Sequence, residues 1–365
     1  MSLPHEKVRQ IVHRNVIRPV ARFIESQASG GIILLACTVI ALVWANSPYG
    51  DTYQHLWETE VSVQFGGPAF SLPLHAWIND ALMALFFLLV GLEIKREILV
   101  GELSTLKNAS LPIMAALGGM VVPALIYFGI NRGGEGSSGW AVPMATDIAF
   151  SLGILALLGK RAPLSLKVFL TALAIVDDLG AVIVIALFYS GSLNMGALQT
   201  AGLLFLILVL LNAVGVRNLV PYMVVGVGLW LALLSSGIHA TIAGVVLALT
   251  IPTRVRMNAD EFLDKGRDLL KRFEEGRTTD ESNALLSEER QNALHAIEKS
   301  CEGVQMPLQR LEHNLHTPVN YLIMPLFALA NAGVVLHGVG FGQLSEHVTL
   351  GIVLGLLIGK VVGIS

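Results

Sequence analysis

The segment Leu173-Ala-Ile-Val-Asp177-Asp178-Leu-Gly180-Ala-Val-Ile-Val184 sets two adjacent carboxylates in the middle of an otherwise apolar run. A charged side chain at the centre of a bilayer costs about 2.5–3.5 kcal/mol on insertion scales. Neighbours on a helix are about 100° apart, so the two carboxyls point to different partners. Burial and mutual repulsion both work against ionising the pair together, and the two titrate as a coupled unit. Such a site holds either a proton or a hard cation, which takes oxygen ligands. The structural alternative is a pair satisfied by a basic partner and a backbone end.

The rest of the chain supplies the membrane that this segment implies. Of 365 residues, 54% are hydrophobic and 14% charged, and mean hydropathy is +0.66; soluble domains carry about 25% charged residues. This argues against a water-soluble enzyme. The net charge of −3, with no basic face, argues against nucleic acid as a partner. Cys37 and Cys301 build no disulfide framework, and no Cys/His cluster suggests zinc. Lys7, Arg9, Arg14, Arg18 and Arg22 precede an apolar run without a small-residue cleavage site, so no secretory signal is read.

Crossing the hydrocarbon takes about 20 mostly apolar residues as a helix. Ten candidate spans lie near 30–46, 76–94, 110–130, 140–159, 164–189, 196–215, 219–235, 237–251, 317–337 and 347–363. The chain divides into a basic N-terminal segment (1–29), spans one to eight (30–251), a long charged loop (252–316), and spans nine and ten (317–365). With the N-terminus cytoplasmic, Arg132 alone faces outward and Lys360 alone sits inside a span; the rest of the 24 Lys and Arg mark the inner side. That asymmetry sets a multi-pass, N-in topology.

Val61-Ser-Val-Gln-Phe65-Gly66-Gly67-Pro68-Ala-Phe70-Ser-Leu72 in the first outer loop alternates around a Gly-Gly turn and predicts a β-hairpin. A lone hairpin is marginal, so it pairs with a second copy or lies on the membrane surface. In the charged loop, Leu286, Ala293, Leu294, Ile297 and Cys301 share one helical face, which predicts a partly amphipathic helix serving as a linker.

Five charges lie within spans: Asp80, Asp147, Asp177, Asp178 and Lys360. Trp140-Ala-Val-Pro143-Met-Ala-Thr146-Asp147 predicts an interrupted helix, which survives at membrane depth only when buried in protein or lining water. Asp147 offsets the positive end of a half-helix there, and Thr146 either lends an oxygen to a cation or caps the helix. Lys360 is the one basic residue at depth, and Asp177 is its expected partner. Asp80, nearer a span end, is either structural or part of an ion path.

Trp77-Ile-Asn-Asp80-Ala-Leu-Met83, Phe86-Phe-Leu-Leu-Val-Gly91-Leu-Glu93, Ala145-Thr-Asp147-Ile-Ala-Phe150, Ala172-Leu-Ala-Ile-Val-Asp177-Asp178-Leu-Gly180 and Phe327-Ala-Leu-Ala-Asn331-Ala-Gly333 occur in this order. Together they resemble the NhaA-type bacterial sodium/proton antiporters, from about Ser26 to the last residue. The resemblance implies an all-α polytopic membrane protein of the inverted-repeat transporter fold, with discontinuous helices and a small periplasmic hairpin. It also implies a pH-regulated exchange of cytoplasmic Na+ or Li+ for external H+ across the bacterial inner membrane, serving pH homeostasis, with no cofactor and no enzymatic activity.

On the same resemblance, Asp178 is the main sodium and proton site, and Asp177 is its partner, pairing with Lys360 when sodium is absent. Thr146 and Asp147 occupy the crossing of two discontinuous helices. Glu93, Arg96, Glu97, Glu312, His313 and His316 are pH-sensing charges at the cytoplasmic mouth, and His239 is a further position linked to pH response. A homodimer through the first outer loop is implied. The family has two spans more than the ten read here, so the expectation is a chain cut after the tenth span. That leaves a transport-inactive membrane subunit as the first alternative. An intramembrane aspartyl protease is the remote one, because its carboxylates must face each other from different helices.

Overall fold

The computed structural model describes residues 29–64, 70–145, 161, 163–189, 193–255, 257–275, 288–336 and 346–365. Helix α1 (Ser29–Ala45) bends by 114° into α2 (Gly50–Glu58). Strands β1 (Glu60–Val63) and β2 (Phe70–Pro73) pair antiparallel, Val61 opposite Leu72 and Val63 opposite Phe70. The hairpin thus forms where alternation predicts it, although its turn lies outside the described residues. Trp77 Nε1 donates to Val61 O at 3.1 Å and ties the hairpin to the helix that follows.

That helix, α3 (Leu74–Val100), is the hub. After it come α4 (Leu106–Ile130), a 3-10 segment (Glu135–Met144), α5 (Leu164–Phe188), α6 (Met195–Ala213) and α7 (Leu219–Ser236). Helix α7 ends at Gly237, whose φ of 83° is the left-handed conformation that glycine adopts without a Cβ penalty. The break between the 219–235 and 237–251 spans is therefore a helix cap. Helix α8 (Ile242–Thr250) has nine residues, shorter than the 237–251 span read from hydropathy. It rises only about 13 Å, at roughly 1.5 Å per residue.

Two helices of the charged loop, α9 (Ala259–Glu275) and α10 (Glu288–Val304), precede α11 (Pro307–Pro318). A π turn at Val319–Ile323 joins α11 to α12 (Met324–Asn331). The helix that leads into the ninth span therefore begins about one and a half turns before Glu312, ahead of the apolar stretch 317–337 and inside what reads as loop. Pro307 at the first helical turn is pre-organised for that start, and Leu308, Leu311 and Leu315 give α11 an apolar stripe against the core. On α10 the predicted face is divided, with Ala293 buried but Leu294 exposed. Helix α13 (His347–Ile364) closes the described chain.

Among the described residues, α3, α4, α5, α6, α7 and α13 are each long and apolar enough to cross a membrane, and the bent α1–α2 pair passes the same test. Most of the 140–159 span lies outside the described residues, while α8 and α11–α12 are too short or too charged at one end to qualify alone.

The packing runs in two blocks. Leu88 and Leu92 of α3 bury against Leu208 of α6, Tyr222 and Leu229 of α7, Leu247 and Ala248 of α8, and Leu308 of α11. Ala115 and Ala116 of α4 bury against Leu173 of α5, with Ile364 of α13 beside them. The blocks meet at a narrow apolar seam where Val90 and Ile94 of α3 face Ile175 of α5, with Leu179 next to it. The adjacent carboxylates fall between Ile175 and Leu179, beside that seam.

Candidate functional site

Asp177 lies on α5, buried to 4% exposure. Its Oδ2 accepts from Lys360 Nζ of α13 at 2.9 Å, the partnership expected from the charge at depth. The same ammonium donates to the carbonyl of Met144, the last residue of the 3-10 segment. One cation therefore holds three elements together, on a carboxylate and a backbone end. The adjacent Asp178 is half-buried. Both carboxylates sit on one helix, an arrangement that cannot bracket a scissile bond. Thr146 and Asp147 fall just beyond Met144 and lie outside the described residues, as does the basic N-terminal segment through residue 28.

Helix α13 reaches this depth because Gly351, Gly355, Gly359 and Gly363 form a stripe at every fourth position. Small residues at that spacing let membrane helices approach to backbone distance. A Cβ on Gly359 would stand 2.8 Å from Pro123 Cα, and one on Gly355 2.9 Å from Pro143 Cβ. A Cβ on Gly363 would overlap the Gly118 carbonyl of α4. Immediately before Lys360 the backbone makes a π turn, Gly355–Gly359, a feature frequent at functional positions. Sequence reading missed this stripe, although the repeat is legible in Gly351-x-x-x-Gly355-x-x-x-Gly359-x-x-x-Gly363.

Gly359→Ala consequently forces a backbone shift. Overpacking of this kind costs about 1–3 kcal/mol, and the expected result is a lower melting temperature in detergent, together with weaker exchange because Lys360 is the next residue. A Gly359→Ala protein that melts like the parent would refute the close approach.

The second cluster lies at the C-terminal end of α3. Arg96 donates to Glu312 Oε1 of α11 at 2.6 Å. Glu93 is within electrostatic reach of both Glu312 and Arg96, and the Glu97 carboxyl lies over Gly101. Glu312 is buried, and its Oε2 has no hydrogen-bond partner among the described residues. Burial first, then repulsion from Glu97, holds this carboxyl above its ordinary range, against the opposing pull of Arg96 and His313.

A carboxylate whose pKa rises on folding binds its proton more tightly in the folded state. Its contribution to stability therefore falls as pH rises through the interval above the ordinary value of 4.5. Glu312→Gln removes that slope. The melting temperature of the variant should gain on the parent as pH rises from acid to neutral, and a parallel pair of curves would contradict the assignment.

His313 and His316 lie exposed one and four residues further along α11, with the His316 ring about 3.2 Å from Asn320 Nδ2. Burial of part of the ring, then the neighbouring His313, keeps His316 below its ordinary value. His239 is not part of this cluster. It lies at the opposite end of the spans, in the loop between α7 and α8, where it and His75 are within electrostatic reach of Asp80. Asp80 itself sits in a π turn of α3, Trp77–Leu82, pinned by Trp230 Nε1 donating to its carbonyl at 3.0 Å. Beside it, Asn79 and Asn331 exchange amide hydrogen bonds of 2.8 and 3.2 Å.

A scan against family models matches residues 21–365 to Na+/H+ antiporter 1. The Na+/H+ antiporter NhaA of Oleidesulfovibrio alaskensis is 52% identical over 350 residues, covering 96% of this chain and 78% of that protein. The protein of the same name from Sulfurimonas denitrificans is 46% identical, covering 98% of this chain and 80% of its own length. That from Helicobacter pylori is 49% identical over 94% of this chain and 76% of its own.

Proposed function

Because the chain belongs to the Na+/H+ antiporter 1 family, we propose that it exchanges sodium for protons across the membrane it spans, at Asp177 and Asp178. It is a multi-pass membrane transporter, not an enzyme. The observation that carries the site assignment is the buried Asp177–Lys360 ion pair beside a second carboxylate on α5. Carboxylate oxygens suit a hard cation such as Na+ or Li+, and the same oxygens take protons, so the two ions compete for one site.

Facing the cytoplasm, the pair releases protons and accepts sodium, and the cation takes over the charge balance that Lys360 supplies to Asp177. The loaded site reorients, discharges sodium outward and is reprotonated there. Only differential affinity for the two facing states drives such a shift. The narrow seam of Val90, Ile94 and Ile175 beside the pair is the surface along which two packed blocks exchange access. Thr146 and Asp147 complete the ligand sphere, Glu93, Arg96, Glu97, Glu312, His313 and His316 tune entry by pH, and His239 and Asp80 act on the outer route. The protein resides in the bacterial inner membrane with its N-terminus cytoplasmic, needs no cofactor, and dimerises through the β1–β2 hairpin.

The test is a pH-sensitive dye in everted vesicles that contain the intact protein. Added sodium, and lithium, should collapse an imposed pH gradient. A gradient that survives both salts would refute exchange.

A further inference from the structure

At the end of helix α8 every carbonyl of the last turn is accounted for. The last four C=O groups of a helix have no partner within it and take one from side chains, water or a tightened turn. Here Leu247 O accepts from Thr250 Oγ1 at 2.7 Å, and Ala248 O accepts from Ile251 N at 3.2 Å. Leu249 O accepts from Lys95 Nζ at 2.7 Å, and Thr250 O accepts from Asn212 Nδ2 at 2.7 Å. Lys95 Nζ reaches further, to Ile251 O at 2.5 Å. A lysine of α3 and an asparagine of α6 therefore cap α8 from two sides, and the ammonium sits where the helix carries its partial negative charge.

Helices α3 and α8 also touch at backbone distance elsewhere. A Cβ on Gly91 of α3 would stand 3.1 Å from Val245 Cα, and one on Gly244 of α8 would meet Ala84 O and Leu88 N of α3. Helices α3 and α8 are thereby fixed along the crossing and at its inner end. Lys95 lies between Glu93 and Arg96, so whatever fixes Lys95 fixes how that turn of α3 faces α11.

We propose that Lys95 and Asn212 are positioning residues for the cytoplasmic mouth. By capping α8 they set the register at which α3 presents Glu93, Arg96 and Glu97 to Glu312. Lys95 touches no transported ion and acts through its neighbours. The charged and titratable groups about this turn are Glu93, Arg96 and Glu97 on α3 itself, and Glu312, His313 and His316 on α11. Arg310 of α11 is paired with Glu302 of α10 at 2.6 Å; α5, which packs on Ile94, carries Asp177 and Asp178, and among the described residues α6 and α8 carry no charged side chain. The proposal rests on the mouth being the sodium entry.

The intact protein carrying Lys95→Met, Lys95→Arg or Asn212→Ala is assayed in everted vesicles, and amide hydrogen exchange is followed across 242–251. Lys95→Met should raise the apparent KM for sodium about fivefold and move the pH profile, with rate at saturating sodium within about twofold of the parent. Asn212→Ala should move both in the same direction, and Lys95→Arg should restore most of the loss. Faster exchange across 242–251 with unchanged KM and pH profile overturns the proposal, because the clamp is then structural only. So does a Lys95→Arg protein as impaired as Lys95→Met. Should Lys95→Met fail to accumulate, Asn212→Ala decides alone by the same readouts. If the parent itself moves no protons when sodium is added, the exchange reading falls; if the parent exchanges and Lys95→Met leaves KM and the pH profile unmoved, the clamp alone falls.

Discussion

Replacing Asp178 by asparagine reduces sodium-driven proton movement to the level of vesicles lacking the protein, while the variant still inserts and accumulates. The amide has the shape of the carboxyl but neither its charge nor its proton. It removes one of two carboxylates that cannot both ionise cheaply at depth, and the isosteric amide keeps a hydrogen-bonding group in place, so the melting temperature should stay close to that of the parent. The expected signature is therefore loss of transport with retained stability, read by dye dequenching and thermal unfolding of one preparation. Retained exchange in Asp178→Asn would remove the assignment.

Lys360→Met has the opposite signature. The ammonium that bridges Asp177 and the Met144 carbonyl disappears, and removing one member of a buried ion pair costs about 3–5 kcal/mol. The melting temperature of Lys360→Met should fall well below that of the parent. Adding Asp177→Asn to Lys360→Met should recover most of the loss, since two neutral side chains leave no uncompensated charge. No recovery in the double variant would mean that packing of α13 rather than the ion pair is what Lys360 supplies.

Much of this arrangement is legible in the sequence because a bilayer makes charge expensive. Asp177, Asp178 and Lys360 stand out against apolar runs, and opposite charges at one depth need each other; the Asp177–Lys360 pairing follows from that. The hairpin is legible because alternation around a Gly-Gly turn is a local signal. Other features are set by tertiary contact. The Met144 carbonyl carries no side-chain mark, so its bond to Lys360 has no trace in the sequence. Lys95 counts among the inner basic residues that orient the chain, and nothing local separates a solvated lysine from one capping α8. His239 reads like any other histidine, and only the fold sets it near Asp80 instead of Glu312. The start of α11 is hidden because hydropathy tracks the apolar part of a helix, and this helix extends past it into charged residues.

The central claim is that sodium and protons compete for the same carboxylates. Sodium binding to the purified protein, followed by calorimetry in buffers of different ionisation heat, tests it most directly. Competition predicts that binding sodium releases protons, and that apparent affinity weakens on acidification, toward about tenfold per pH unit where one proton is displaced. Sodium binding that releases no proton and keeps the same affinity from acid to alkaline pH would contradict it.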